Sequence, residues 1–434
     1  MTQEHHTPAR KSRASHSFGS AYRMPAEWEP HDATWLAWPH HKDDWPGKFE
    51  PIPWVYAEII RHLARHERVE LIVNDAASER RARRILERAN ALNDNIRFHR
   101  WPSNRVWTRD SGCTFVTRTV QGEADALVRS AERSSAGPSG GGGHDFSRAQ
   151  ETSSSALSSR AKRDRSLADD PAESRDLLFP SPSNLLAVKW RFNAWAKYPN
   201  WQHDEKIGSL MAEAAAAREL RPTHGKQRVV LEGGSIDVNG RGTLLTTEEC
   251  LLSEVQQRNP QMKRSDYEKV FADYLGIKNV IWLGFGIAGD DTHGHVDDLT
   301  RFVAPDTVVT VVESDPNDPN YEPLRENIRR LREAVDQDGK PLAIIELPMP
   351  APLFFEGRRL PVSYGNFYIA NGLVLVPVFN DPNDRYALDI LADLFPDRDV
   401  VGIYSGDLIW GFGAMHCMTQ QQPRISSWPL AISY

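Results

Sequence analysis

Short β-rich runs alternate with amphipathic helical stretches along this chain. About five times, a hairpin-like pair of runs is followed by a helix and then by a further run. The runs include ATWLAWP, VELIVND, NIRFHRW, LLAVKWRF, RVVLEGGSIDV, TLLTTEECLL, VIWLG, DTVVTVVE, LAIIELP, NFYIANGLVLVPVF and VVGIYS. WVYAEIIRHLARH, ASERRARRILERANAL, HDEKIGSLMAEAAAAREL, SDYEKVFADYLG, YEPLRENIRRLREAVDQ and RYALDILADLF read as helices between them. Two of the turns, in DVNGRGTLL and IANGLVLV, carry the Asn-Gly pair that tight hairpins prefer. The units share element order and almost no sequence, which favours one α/β domain of repeated modules over two unrelated domains.

One segment cannot belong to that core. Residues 121–183 contain no Trp, Tyr, Ile or Met and are crowded with Ser, Gly, Arg and Asp, a composition that buries too little apolar surface to offset the entropy of ordering it. It is expected to be a disordered insertion in a fold that resumes at NLLAVKWRFNAW, a tolerated surface loop more readily than a partner-binding element. Residues 1–23 read as a flexible, basic and polar tail without the apolar stretch of a secretory signal, and residues 24–434 as the catalytic domain. No stretch approaches the roughly 18 uninterrupted apolar residues of a membrane span. Three cysteines without a CxxC pair, in 434 residues, suggest a reducing compartment, and the cytoplasm is the expected location. A formal charge of -7 argues against a nucleic-acid binder and suits a small cationic ligand better.

Chemistry gathers in MPAEWEPHDATWLAWPH, WTRDSG, LEGGSID, GDDTHGHVDDLTRF and GAMHCMTQQ. The chain offers no GxSxG elbow, no phosphate-binding P-loop and no GxGxxG that opens a helix after a strand, so serine hydrolase, P-loop and dinucleotide-binding readings lack support. HGHVDD offers a His-x-His pair and two carboxylates that a metal could use. Cys417 follows a Gly-rich turn and precedes the polar MTQQQP, whereas Cys113 and Cys250 read as inert buried thiols. His295 and Asp297 would face one side of an extended segment, and Asp110 and Glu232 stand at turns. One thiol, one histidine and several carboxylates, with no metal or other cofactor required, suit attack on a guanidinium, which carboxylates clamp bidentately.

In these motifs, taken in order, the chain resembles the agmatine deiminase family, relatives of bacterial peptidylarginine deiminases among the guanidine-modifying five-bladed α/β propellers. The motifs carrying the likeness are MPAEWEPHDATWLAWP, WTRDSG, EGGSIDVNGRGTLLTTEECLL, GDDTHGHVDD, NFYIANGLVLVPVF and HCMTQQQP. The resemblance implies five ββαβ units around a central pit. It implies Cys417 as nucleophile, His295 as general acid and base, Asp110 and Asp297 as the guanidinium clamp, and Glu232 in the supporting network. Asp291 matches the family's agmatine contact, and Trp107 and Trp28 are expected against the substrate. The implied partner is a small cationic guanidine; no nucleic acid or membrane is expected, and a homo-oligomer is left open. The chain departs from the family in reading WGFGAMHC where a Gly-Gly-Gly-Asn-Ile run is usual before His-Cys, and in placing Cys113 after RDSG.

Alternatives with the same chemistry are deimination of free or peptidyl arginine and amidino transfer to an amine. A non-enzymatic polyamine-binding protein and a metallohydrolase built on HGHVDD are rivals of other kinds.

Overall fold

A computed structural model of the protein describes residues 21–119 and 184–425. The expected insertion at 121–183 and residues 1–20 of the expected tail lie outside the described residues. The tail's boundary moves to an earlier position: Tyr22–Arg23 form a strand whose residues pair with Arg118 and Thr117, because the Tyr22 side chain is buried with Met24, Val116 and Leu186.

Five sheets share one pattern, in which the first strand pairs antiparallel with the second and a helix leads to a third strand parallel to the second. Thr114–Arg118, Leu185–Val188 and Arg218–Leu220 form one, with helix Asp204–Ala214. Asp237–Val238, Thr243–Thr247 and Asn279–Leu283 form the next, with helix Arg264–Leu275. Thr300–Ala304, Thr307–Val312 and Ala343–Pro348 follow, with helix Tyr321–Glu333. Tyr368–Ala370, Leu373–Val378 and Asp399–Tyr404 come fourth, with helix Asn383–Leu394.

The fifth sheet joins the two ends of the described chain. Its first strand is Gln420–Pro423, which pairs antiparallel with His31–Ala37; helix Ile52–His66 then leads to Arg68–Val73, and helix Ala76–Arg88 adds Ile96–Arg100. Helices seat on the sheet of the preceding unit: Tyr321–Glu333 touches Asn279–Leu283, Asn383–Leu394 touches Ala343–Pro348, and Ile52–His66 touches Leu373–Val378. Apolar residues at helical spacing, such as Tyr56, Ile59, Ile60 and Leu63, supply those contacts. No helix among the described residues is long and apolar enough to cross a membrane.

Most expected elements are present within a few residues. RVVLEGGSIDV is an exception, because it breaks into short strands around a one-turn 3-10 helix, Gly233–Ser235. TLLTTEECLL is another: the strand stops at Thr247, whose hydroxyl accepts from Cys250 N (3.1 Å) and caps helix Glu248–Leu252.

Helix Asp204–Ala214 locks the turn that carries Asp110. A Cβ at Gly208 would lie 2.7 Å from the backbone oxygen of Gly112. Alanine normally stabilises a helix by about 1 kcal/mol over glycine, yet here overpacking costs about 1–3 kcal/mol. Gly208→Ala should therefore lower stability in urea denaturation; an unchanged or raised midpoint would refute this packing.

Candidate active site

A one-turn helical segment precedes the first strand of every unit. These segments are Thr108–Ser111, Gly233–Ser235, Val296–Asp298, Tyr364–Asn366 and Met415–Met418. Each touches the next in that order, and the last touches the first, so the five form a closed ring. Asp110, Glu232, His295 with Asp297, Asn366 and Cys417 lie on or immediately before them.

A cavity of about 530 Å³ opens over the ring, lined by Cys417, Asp110, Trp107, Asp291 and Trp195 among others. Cys417 Sγ lies 3.7 Å from Asp297 Oδ2 and accepts from Asn366 Nδ2 (3.0 Å). The same amide nitrogen donates to Asp298 (3.0 Å), while Asn366 Oδ1 accepts from His416 N (3.0 Å). Burial, followed by Asp297, Asp298 and Asp110, pushes the Cys417 thiol well above its ordinary value.

His295 and Asp297 converge as expected, though through a tight turn and not an extended segment. His295 Nδ1 is 3.9 Å from Asp110 and 4.0 Å from Asp297 Oδ1, and Nε2 is 3.8 Å from Glu232. Among the described residues neither ring nitrogen, nor Asp297 Oδ1, has a partner at hydrogen-bond distance, although all are buried. Burial opposes charge on this ring, but Asp110, Cys250 and Glu232 outweigh it and raise its pKa well above the usual imidazole value. Gly234 makes the convergence sterically feasible: a Cβ there would stand 2.5 Å from His295 Nδ1 and 2.8 Å from Asp297 Oδ2.

Asp110 is fixed by Gly234 N and Trp195 Nε1, both at 2.9 Å, and Glu232 by Arg258 at 3.2 Å, each pair buried. Asp291 lies in the cavity wall, with its carboxylate held by Lys197, Arg358 and Tyr198. Trp107 lines the cavity. Trp28 does not: it packs against the apolar clusters around Phe367 and Val296, and its carbonyl accepts from Arg398 (2.8 Å). Trp35 and Trp38 are core residues. The aromatic wall comes instead from Trp107, Trp195, Tyr198, Phe355, Trp410 and Phe412.

For metal ligation, His293 turns away to Ser253 (3.1 Å) and Glu249 (3.6 Å), so the His-x-His pair does not converge. Two triads, Glu232–Cys250–His295 and Asp297–Asp298–Cys417, each bring three ligand atoms within 4.8 Å. Cys250, expected to be inert, thus lies against His295.

Beneath the ring, Glu27 gathers four partners that sequence patterning alone did not single out. It accepts from Arg109 (3.2 Å), His416 Nε2 (2.8 Å) and Ile369 N (2.8 Å), and pairs with Arg301 (2.9 Å). His416 Nδ1 reaches Asp297 Oδ2 (2.7 Å), a geometry that two N–H donors satisfy. Burial raises the pKa of Glu27, but Arg301, His416 and Arg109 together hold it well below the usual carboxylate range.

A depressed carboxyl contributes stability that is complete above its unfolded pKa and is lost as pH falls toward the folded one. Glu27→Gln should cost about 3 kcal/mol or more near neutrality, since it leaves buried cations short of charge. In urea denaturation the wild-type advantage should hold above about pH 5 and narrow as pH falls below the usual carboxylate value of about 4.3. A difference independent of pH would contradict this hub.

Comparison with known proteins agrees with the geometry. The sequence matches the family described as Porphyromonas-type peptidyl-arginine deiminase over residues 23–133 and 172–423. An agmatine deiminase of Pseudomonas aeruginosa (strain LESB58) is 32% identical over 425 residues, covering 93% of this chain and 95% of the relative. One of Pseudomonas syringae pv. tomato is 33% identical with the same coverage. Among solved structures, agmatine deiminase of Enterococcus faecalis superposes with a TM-score of 0.72 at 28% identity, covering 96% of this chain and all of that one. A Porphyromonas gingivalis protein described as a putative arginine deiminase gives 0.69 at 28% identity, over 93% of this chain and 98% of that one. Matched by the family's model over most of its length and by relatives of 32–33% identity over 93% of it, the chain belongs to the Porphyromonas-type peptidyl-arginine deiminase family.

Proposed function

We propose that the protein is an agmatine deiminase, converting agmatine to N-carbamoylputrescine and ammonia, and that its five units form a five-bladed propeller within one catalytic domain that includes the strand Tyr22–Arg23. The observation that carries the function is the cluster at and just behind the cavity wall: Cys417 and Asp110 line the cavity, and buried against them are Asp297, 3.7 Å from the thiol and with one oxygen unpartnered, and His295, 4.0 Å from Asp297 and with both ring nitrogens unpartnered among the described residues. Those groups match a planar cation that is clamped, attacked and protonated at its leaving nitrogen. Two agmatine deiminases at 32% and 33% identity over most of the chain support the substrate.

Asp110 and Asp297 hold the guanidinium. As the cation binds, the Cys417 thiol releases its proton to solvent; the thiolate bonds to the guanidinium carbon, a C–N bond breaks, and the departing nitrogen takes a proton from His295 to leave as ammonia. Water then loses a proton to His295 and adds to the amidino carbon. The C–S bond breaks, and the ureido product leaves with Cys417 restored. The carboxylates that oppose the thiolate in the free enzyme are neutralised when the cation binds, so substrate promotes its own attack.

Cys417→Ala should release no ammonia from agmatine while still binding it; turnover by that variant would end the covalent reading. In the free enzyme, alkylation of Cys417 by neutral iodoacetamide should keep rising with pH through 9, because burial and three carboxylates hold the thiol above its ordinary value. A plateau at lower pH would show a thiolate preformed without substrate.

A further inference from the structure

The cavity mouth contains an acid that the reaction does not use. Asp44 ends the one-turn 3-10 helix Lys42–Asp44 and lines the same cavity as Cys417. Its side chain is 9% exposed, and Oδ2 has no hydrogen-bond partner among the described residues. Oδ1 has only distant company, His41 Nδ1 at 3.3 Å and Arg105 Nε at 3.5 Å. Arg105 is shared: its Nη1 donates to the carbonyl and side chain of Asn200, both at 3.0 Å, and its guanidinium lies over the Tyr198 ring at 4.3 Å. Burial outweighs Arg105, His41 and His40 and raises the Asp44 pKa, as expected of a carboxylate short of positive charge.

The other acids of the mouth differ. Asp291 already has Lys197, Arg358 and Tyr198 on its two oxygens, so a ligand ammonium there would have to displace a resident cation. Asp43 and Glu356 are exposed, where water screens a single charge pair to little net effect. Asp44 alone among these combines burial with a free acceptor.

We propose that Asp44 is the specificity-determining residue of the site, accepting the terminal ammonium of an aminoalkylguanidine whose guanidinium lies over Cys417. This assignment rests on the deiminase reading and adds to it the residue that tells a charged tail from an apolar one.

The test is steady-state ammonia release by wild type and Asp44→Asn on agmatine and on butylguanidine, which has the same carbon chain without the amine. Wild type should favour agmatine in kcat/KM by about tenfold or more, the worth of one charge-assisted hydrogen bond. Asp44→Asn should lose that preference through a raised KM for agmatine, with butylguanidine turnover changed by less than about twofold. Equal losses on both substrates would make Asp44 structural, and an unchanged preference would place the amine elsewhere; either overturns the proposal while leaving a deiminase. Wild type that turns over both substrates equally overturns it without any variant, which covers a failure of Asp44→Asn to fold. Silence of wild type on both fails the deiminase reading itself and the assignment of Asp44 with it.

Discussion

Everything above the floor of the pit depends on one buried carboxylate. Glu27 binds Arg109 on the first turn, Arg301 on the strand after the third, Ile369 N on the strand after the fourth and His416 on the fifth. A buried ion pair seldom exceeds in stability the apolar contact that might replace it, because desolvation consumes much of the Coulombic gain. Its use here is positional. Separate units meet at the ring, and a hub with several directional bonds fixes their relative register in a way that apolar packing, being non-directional, does not. Through His416 the hub reaches Asp297 Oδ2, leaving Oδ1 unpartnered beside His295.

The same economy of charge organises the pit. Asp110, Asp297 and Asp298 surround the thiol, and none of them has a guanidinium within hydrogen-bonding reach; the buried arginines sit one layer away, on Glu27, Asp237 and Glu232. In the proposed reaction a cationic guanidine would compensate these carboxylates, lowering the cost of the thiolate and of the paired acids together. Binding and activation are then a single electrostatic event, and a neutral ligand of the same shape would gain little from the pit.

Much of this was legible in the sequence wherever a physical period or a turn chemistry stood behind it. Helices such as 52–66 and 321–333 announce themselves by apolar spacing, and the Asn-Gly hairpins at 239–240 and 371–372 by their turn residues. The closing strand Gln420–Pro423 did not. Three consecutive glutamines read as a site lining more than a core strand, yet all are buried: Gln421 accepts from Arg109 (2.6 Å) and Gln422 from Trp35 Nε1 (3.1 Å). Partners hundreds of residues away in sequence set their environment, and no local pattern carries that information. Glu27 was hidden for the same reason. Trp28, its neighbour, misled in the opposite direction, since an aromatic next to a conspicuous motif looks like a ligand wall when it is packing.

The turn before Cys417 shows how a departure in sequence can be absorbed by geometry. Gly411 and Gly413 pass between two tryptophans, where a Cβ would stand 2.7 Å from Trp45 Nε1 and 2.6 Å from the Trp107 ring, so neither tolerates a side chain. Between them, Phe412 takes the left-handed conformation at φ +63°, which costs an L-residue about 1–2 kcal/mol. Its ring lies in the cavity wall with the Arg358 guanidinium 4.0 Å from the ring centroid, and Arg358 also holds Asp291. Cation–π contact of about 0.5–2 kcal/mol offsets the strain to a similar order. The bulky residue that replaces the usual glycine thus ties the backbone five residues before Cys417 to the charged mouth. A ligand that disturbs Arg358 would be felt along the segment that presents the thiol.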